Sequence, residues 1–275
     1  NISTIDQSGA QSPLYVSNFG LGDPVSGNMG SVGSVRVDQF GIGNQSTVNQ
    51  PGNSAIGIVD QVGDRNRSFM DQDGEANIAR LEQRGDDNFS DWDQTSTFAN
   101  SSGNIVRQTG NRNSSTIEQS GTGIDDFLSD TNEVGLRQVG NDNFQTVMQA
   151  GVENGSLTVQ TGNANNSAII QDGTSNRIFV DQIGDANRSS VTQNMGSATN
   201  SSDVNQNGES GISTITQSGT GNMATLNQAG TSNESLLGQS GTTNMAVITQ
   251  GGSGDYSAVS QMGSGNSVTI NQNVP

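Results

Sequence analysis

Residues 217–250 read QSGTGNMATLNQAGTSNESLLGQSGTTNMAVITQ, one short phrase written three times. Gln217, Gln228, Gln239 and Gln250 fall eleven residues apart. After each of the first three comes a glycine (Gly219, Gly230, Gly241) and then an asparagine (Asn222, Asn233, Asn244). A small residue follows at a two-residue interval (Ala224, Ser235, Ala246), then an aliphatic one (Leu226, Leu237, Ile248), and then the next Gln. A period of two puts Asn, Ser or Ala, the aliphatic residue and Gln on one face of a β-strand, with the residues between them on the other. Gly with its Ser, Thr and Asn neighbours supplies the turn into the next strand.

Working outward, the same register holds at Gln39, Gln50, Gln61, Gln72, Gln83 and Gln94, then at Gln108 and Gln119. It resumes at Gln138, Gln149, Gln160, Gln171, Gln182 and Gln193, and runs on through Gln206, Gln261 and Gln272, with Gln7 alone at the start. Of these 22 anchors, 21 have an apolar residue two positions before, Thr158 being the exception. Composition alone does not produce such a register, so an internal repeat governs the fold.

The positions predict two kinds of ladder. Amide ladders are expected from the Gln anchors and from Asn66, Asn77, Asn88, Asn143, Asn165, Asn176, Asn187, Asn222, Asn233, Asn244 and Asn266, because a carboxamide both donates and accepts along a stacking axis. An apolar ladder is expected from Val48, Val59, Leu81, Val147, Ile169, Val180, Val191, Ile215, Leu226, Leu237, Ile248, Val259 and Ile270. One aliphatic side chain per eleven residues cannot by itself offset the backbone entropy of ordering them. The hydrogen-bonded ladders must supply the rest.

The number of units per coil is read from the C-terminal repeats. Ser213, Ser235 and Ser257 alternate with Ala224, Ala246 and Val268, and Met223 and Met245 lie 22 apart. A coil is therefore expected to hold about 22 residues, with residue i beneath residue i+22. The predicted fold is all-β: a two-sheet parallel β-solenoid of about 12 coils, forming one domain over residues 1–275, roughly 58 Å long at ~4.8 Å per coil. Residues 8–38 keep the spacing loosely, with Asn18 and Asn28 in place of Gln and with Pro13 and Pro24. Extra residues between Gln94 and Gln108, and at 122–131, are expected in arcs.

Composition narrows function. The chain carries a net charge of −17 and is 29% hydrophobic and 4% aromatic, with no Cys and no His. All ten basic residues are Arg. No disulfide is possible, no apolar run is long enough to span a membrane, and the acidic balance disfavours nucleic acid and anionic membrane. The repeat begins at Asn1, so the numbering is expected to start after a removed leader. Asp60, Asp71, Glu82 and Asp93 precede Gln anchors, and Asp64, Asp86 and Asp185 follow turn glycines. They invite a calcium reading, but the calcium nonapeptide is missing and six to eight converging oxygens are needed. Turn formation, solubility and gatekeeping against aggregation are the preferred roles. Arg65, Arg67, Arg177 and Arg188 are candidates for pairing across coils. Trp92 falls at a buried position, Phe89 and Phe144 at outward ones. No catalytic, cofactor or metal site is expected. Ice binding would need a regular outward array, whereas Thr47, Phe69, Arg80 and Asp91 vary. An ice-binding or calcium-binding β-solenoid and a monomeric adhesin stalk are the alternatives to a self-assembling structural role.

The unit Asn-x-Ala/Ser-x-aliphatic-x-Gln-x-Gly resembles the curlin repeat of curli fibres, the bacterial functional amyloids. Gln217, Gly219, Asn222, Ala224, Leu226 and Gln228 make one clean copy, and Gln239, Gly241, Asn244, Ala246, Ile248 and Gln250 another. The resemblance implies a secreted subunit that polymerises with copies of itself into extracellular biofilm and adhesive fibres. It further implies as partners a nucleator subunit, periplasmic chaperones and an outer-membrane pore. Solenoids that stay monomeric carry terminal caps. Here the motif reaches both ends, so Asn1, Ser3, Ile5 and Gln7 at one end and Asn266, Val268, Ile270 and Gln272 at the other are the expected polymerisation surfaces.

Overall fold

The computed structural model describes residues 1–6, 14–19, 25–28, 34–51, 55–75, 77–97, 104–122 and 133–273. All regular structure among them is strand. In chain order these are β1 Ile2–Asp6, β2 Leu14–Phe19, β3 Val25–Asn28, β4 Ser34–Phe40, β5 Gln45–Asn49, β6 Ile56–Val62, β7 Arg67–Glu75 and β8 Ile78–Arg84. Then follow β9 Phe89–Thr97, β10 Ile105–Thr109, β11 Ser114–Thr122, β12 Glu133–Val139, β13 Phe144–Val152, β14 Gly155–Thr161, β15 Asn166–Thr174 and β16 Arg177–Ile183. The last eight are β17 Arg188–Ala198, β18 Ser201–Glu209, β19 Ile212–Thr220, β20 Met223–Thr231, β21 Glu234–Thr242, β22 Met245–Gln250, β23 Tyr256–Ser264 and β24 Ser267–Gln272.

They form two parallel 12-stranded sheets, odd-numbered strands in one and even-numbered in the other. From β4 onward every strand pairs with the strand two places along, as a 22-residue coil requires. Gln217 lies beside Gln239 and Gln239 beside Gln261, while Ala224 lies beside Ala246 and Ala246 beside Val268. Each coil thus places one strand in each sheet, and the two inner faces enclose a thin interior. Val48, Trp92, Ile117 and Ile169 from one sheet and Val59, Leu81, Val180 and Leu226 from the other are buried there.

Insertions leave this stacking intact. Gln83 still pairs with Gln108 and Gln94 with Gln119, although 25 residues separate each pair in sequence. Gln108 pairs with Gln138 and Gln119 with Gln149. The extra residues at 98–103 and 123–132, which hold nearly all of the expected 122–131 insertion, lie outside the described residues. A further insertion, between Gln193 and Gln206, is taken up as a register shift between Gln193 and Ala198 at the end of β17, with Gly196 at φ 76°.

The N-terminal order departs from simple stacking. β1, not β3, lies beside β5, with Ser3 opposite Ser46 and Ile5 opposite Val48. β3 is displaced to the outer edge, against β1. The reason is in the residues: β1 carries Asn1, Ser3 and Ile5 in repeat register, whereas β3 reads Val-Ser-Gly-Asn.

The turn glycines are obligatory where coils touch. Gly85 sits at φ +111°, and a Cβ there would lie 2.2 Å from the carbonyl oxygen of Gly110 in the next coil. Gly155, by contrast, has open space around it. Gly85→Ala is therefore expected to cost about 2 kcal/mol or more, and Gly155→Ala to leave stability unchanged or raised by up to about 1 kcal/mol, both read by urea unfolding of the monomer.

Candidate polymerisation surface

The strongest side-chain feature of the interior is a pair of glutamine columns. In the even-numbered sheet Gln39 Nε2 donates to Gln61 Oε1 at 2.6 Å, Gln61 to Gln83 at 2.7 Å, and Gln83 to Gln108 at 2.9 Å. The chain of bonds continues through Gln138, Gln160, Gln182, Gln206, Gln228 and Gln250 to Gln272. The odd-numbered sheet has the same column from Gln50 through Gln72, Gln94, Gln119, Gln149, Gln171, Gln193, Gln217 and Gln239 to Gln261. The second amide hydrogen does work the sequence did not disclose. Gln61 donates it to Gln45 O, Gln160 to Phe144 O and Gln250 to Glu234 O, each on the opposite sheet. One side chain therefore ties neighbouring coils and both sheets.

Asparagine forms a second column with the opposite sense. The backbone N–H of Asn66 donates to Asn44 Oδ1, that of Asn88 to Asn66 Oδ1, and so on through Asn113, Asn143, Asn165 and Asn187. In the other sheet Asn176, Asn200, Asn222, Asn244 and Asn266 each donate likewise to the asparagine one coil earlier. Asn77 donates Nδ2 to Asp73 O within its own turn, and Asn233 Oδ1 accepts from the N–H of Asp255. The ladders are polar: Gln donors and Asn acceptors both point toward the C-terminal end. These anchors are buried, except that Gln272 is half-buried and Asn266 exposed. Gln7 lies outside the described residues.

The aliphatic positions follow the same gradient. Val147, Val191, Ile215, Leu237 and Ile248 are fully enclosed, whereas Val259, Val268 and Ile270 in the last coil are only partly covered. At that end Gln261 and Gln272 each give one amide hydrogen to a backbone carbonyl, Met245 O and Tyr256 O. Among the described residues no further Gln lies beyond them to take the second hydrogen, which elsewhere crosses to the next coil. The C-terminal rung thus presents two amide donors and three part-covered aliphatics in the pattern of an interior rung.

At the other end, Asn1 Oδ1 accepts from Asn44 N at 3.0 Å and Ser3 Oγ donates to Gln39 Oε1 at 3.0 Å. Ser3 and Ile5 are buried. The N-terminal motif is therefore a working rung, and β3 and β2 lie outside it.

Residues 219–252 match the curlin associated repeat. No curated protein matches the chain. The matched stretch lies where the ladders are most regular, and it includes the curlin-repeat residues Asn222, Leu226, Gln228, Asn233, Leu237, Gln239, Asn244, Ile248 and Gln250. The curlin repeat belongs to structural fibre subunits associated with extracellular curli fibres, and a β-solenoid of stacked 22-residue coils suits such a subunit.

Departures from the repeat are matched in space. Thr158, the one polar residue at an aliphatic position, accepts a hydrogen bond from Gln145 Nε2 at 3.0 Å, and Gln145 stands where most units carry Ser or Ala. The buried indole of Trp92 donates to Gln119 Oε1. In the arcs, Asp64, Asp86, Asn111, Asn141, Asn163 and Asp185 each accept the backbone N–H of the preceding coil through Oδ1. Their sequence signal is an Asp or Asn three residues after each even-sheet Gln from Gln61 to Gln182. Arg65 grips Asp87 with two bonds of 2.7 and 2.8 Å, and Arg112 grips Asp142 likewise at 2.7 Å. These pairs are exposed and add little stability. Among the described residues no cluster of three or more acidic, His or Cys side chains is arranged to hold a metal.

One row is imperfect. The hydroxyls of Ser46, Ser68, Ser167, Ser189 and Ser213 are buried without a hydrogen-bond partner. The other sheet places Ala224 and Ala246 in the equivalent row. Ser213→Ala should raise unfolding free energy by about 1 kcal/mol, because a desolvated, unpaired hydroxyl is removed.

Acid groups divide into two sets. Burial pushes the carboxyl of Asp181 upward, with a smaller push from Asp203, and Val159 is its neighbour in the sheet. Glu82 moves the other way, lowered chiefly by the hydrogen bond from Arg107. A raised carboxyl binds its proton more tightly in the folded chain. Its share of stability is therefore gained as pH falls through the raised value. Asp181→Asn should melt above wild type at pH 7, and the gap should close below the ordinary carboxylate range of about 4, as followed by thermal denaturation across pH.

Proposed function

We propose that this chain is the structural subunit of an extracellular curli-like amyloid fibre, adding head to tail to copies of itself and contributing to biofilm matrix and adhesion. The observation that carries the reading is the C-terminal rung. It repeats the inward pattern of every interior rung, with Gln261, Gln272, Val259, Val268 and Ile270 in the register of the coil before it, so its face matches the surface on which each interior coil stacks. Unpaired strand edges recruit further strands. A contact between one end and the opposite end does not close on itself, so it yields filaments rather than rings.

The role is mechanical. The polymer needs no bound group, since backbone bonds, amides and aliphatics make every contact. Its partner is a second copy of the chain. A nucleator, periplasmic chaperones and an outer-membrane pore enter on the strength of the curlin repeat alone. The rival reading, a monomeric stalk, requires a terminated C-terminal rung.

Seeded growth followed by dye binding and electron microscopy tests this. The purified chain should elongate its own seeds. Gln272→Glu keeps the acceptor used by Gln250 but removes the outgoing donor and adds a charge at the joint. It should slow elongation by roughly tenfold, the cost of one unsatisfied buried polar contact. Thr269→Glu, on the exposed face of the same strand, should change it by less than about twofold. Equal effects, or a chain that stays monomeric with seeds, would count against the fibre role.

A further inference from the structure

The N-terminal strand order gives the subunit's other face a closed state. β1 and β4 together make a complete rung. Gln39 Nε2 donates to Ile2 O on the opposite sheet, the same bond that Gln61 makes to Gln45 O in the next coil. In the interior this bond links a Gln to a residue 16 earlier, whereas here it reaches 37 back, because β2 and β3 have left the path. Those two strands lie outside the rung, β2 along β4 and β3 along β1. They cover the surface a neighbouring subunit would need.

Their fit is poor. β3 sets Gly27 opposite Ile5, where every interior rung but one has a large apolar residue. β2 sets Asn18 opposite Gln39, one methylene short of the Gln that would extend the column. The C-terminal rung of another copy matches better. Seated on β4, β24 would bring Ile270 to Val37 and Gln272 to Gln39. Seated on β1, β23 would bring Ser257 to Ser3 and Val259 to Ile5. These are the pairings the interior repeats.

Resting on the fibre reading above, we propose that β2 and β3 form a fold-back cap on the N-terminal face, displaced when the β23–β24 end of a second copy docks on β1 and β4. The subunit is then closed at one end until a better-matched rung replaces the cap. This restrains polymerisation without any partner other than the chain itself.

A disulfide lock tests it. Ser17 on β2 and Asp38 on β4 are register partners, and adjacent strands at ~4.8 Å fall within disulfide reach. The natural chain has no cysteine, so Ser17→Cys with Asp38→Cys gives a single bond that can be made and broken in one protein. Monomeric oxidised protein offered to wild-type seeds should elongate at least about tenfold more slowly than the same protein reduced, since its competent open state is removed. Equal rates oxidised and reduced, with wild-type fibres growing normally, would overturn the cap and leave the fibre role standing. Wild-type protein that never elongates seeds would overturn both.

Discussion

The bond from one glutamine amide to the glutamine one coil away is the constraint on which the structure depends. It is buried, short and repeated down both sheets, and it can form only if each coil places Gln at the same depth and height. That requirement fixes the coil at two strand-arc units and favours glycine at the turns where coils touch, although Ser197 takes that place beside Gly173. It also makes insertions harmless only in arcs. A chain with so few apolar residues would ordinarily fail to fold. Here amide side chains line much of the interior and the stacked Gln and Asn columns bond to one another, which offsets most of the usual penalty for burying amides.

The ladders have direction as well as strength. Glutamine sends its hydrogen toward the C-terminal end, and asparagine offers its oxygen the same way. Two C-terminal ends brought together would set donor against donor and acceptor against acceptor. Only a C-terminal rung against an N-terminal rung would continue both columns, so in the proposed fibre the side-chain chemistry would set the polarity of assembly. The outward residues, by contrast, vary from coil to coil. They tune charge and acid response without touching the stacking.

Much of this was legible in the sequence because the repeat places chemistry at fixed intervals. The alternation around Leu226 and Gln228 gives strands and their buried face, and the alternation of Ser235 with Ala246 gives the two-sheet coil. Even degenerate units near Asn18 and Asn28 emerge as strands. What the spacing could not give was geometry between elements. That Gln61 reaches Gln45 O, or that Gln145 meets Thr158, depends on how the arcs bring the two sheets into phase. The order of β1 and β3 was illegible for a different reason. Stacking in sequence order assumes that each unit is the best partner for the next, and the weak strand at 25–28 loses that contest to Ile2–Asp6.

Cryo-electron microscopy of fibres grown from the purified chain tests the central claim most directly. Helical reconstruction should show rungs of 22 residues at ~4.8 Å spacing, with the glutamine column passing unbroken from Gln272 of one subunit to Gln39 of the next. Subunits joined through their outer sheet faces, with the column interrupted at each boundary, would contradict it.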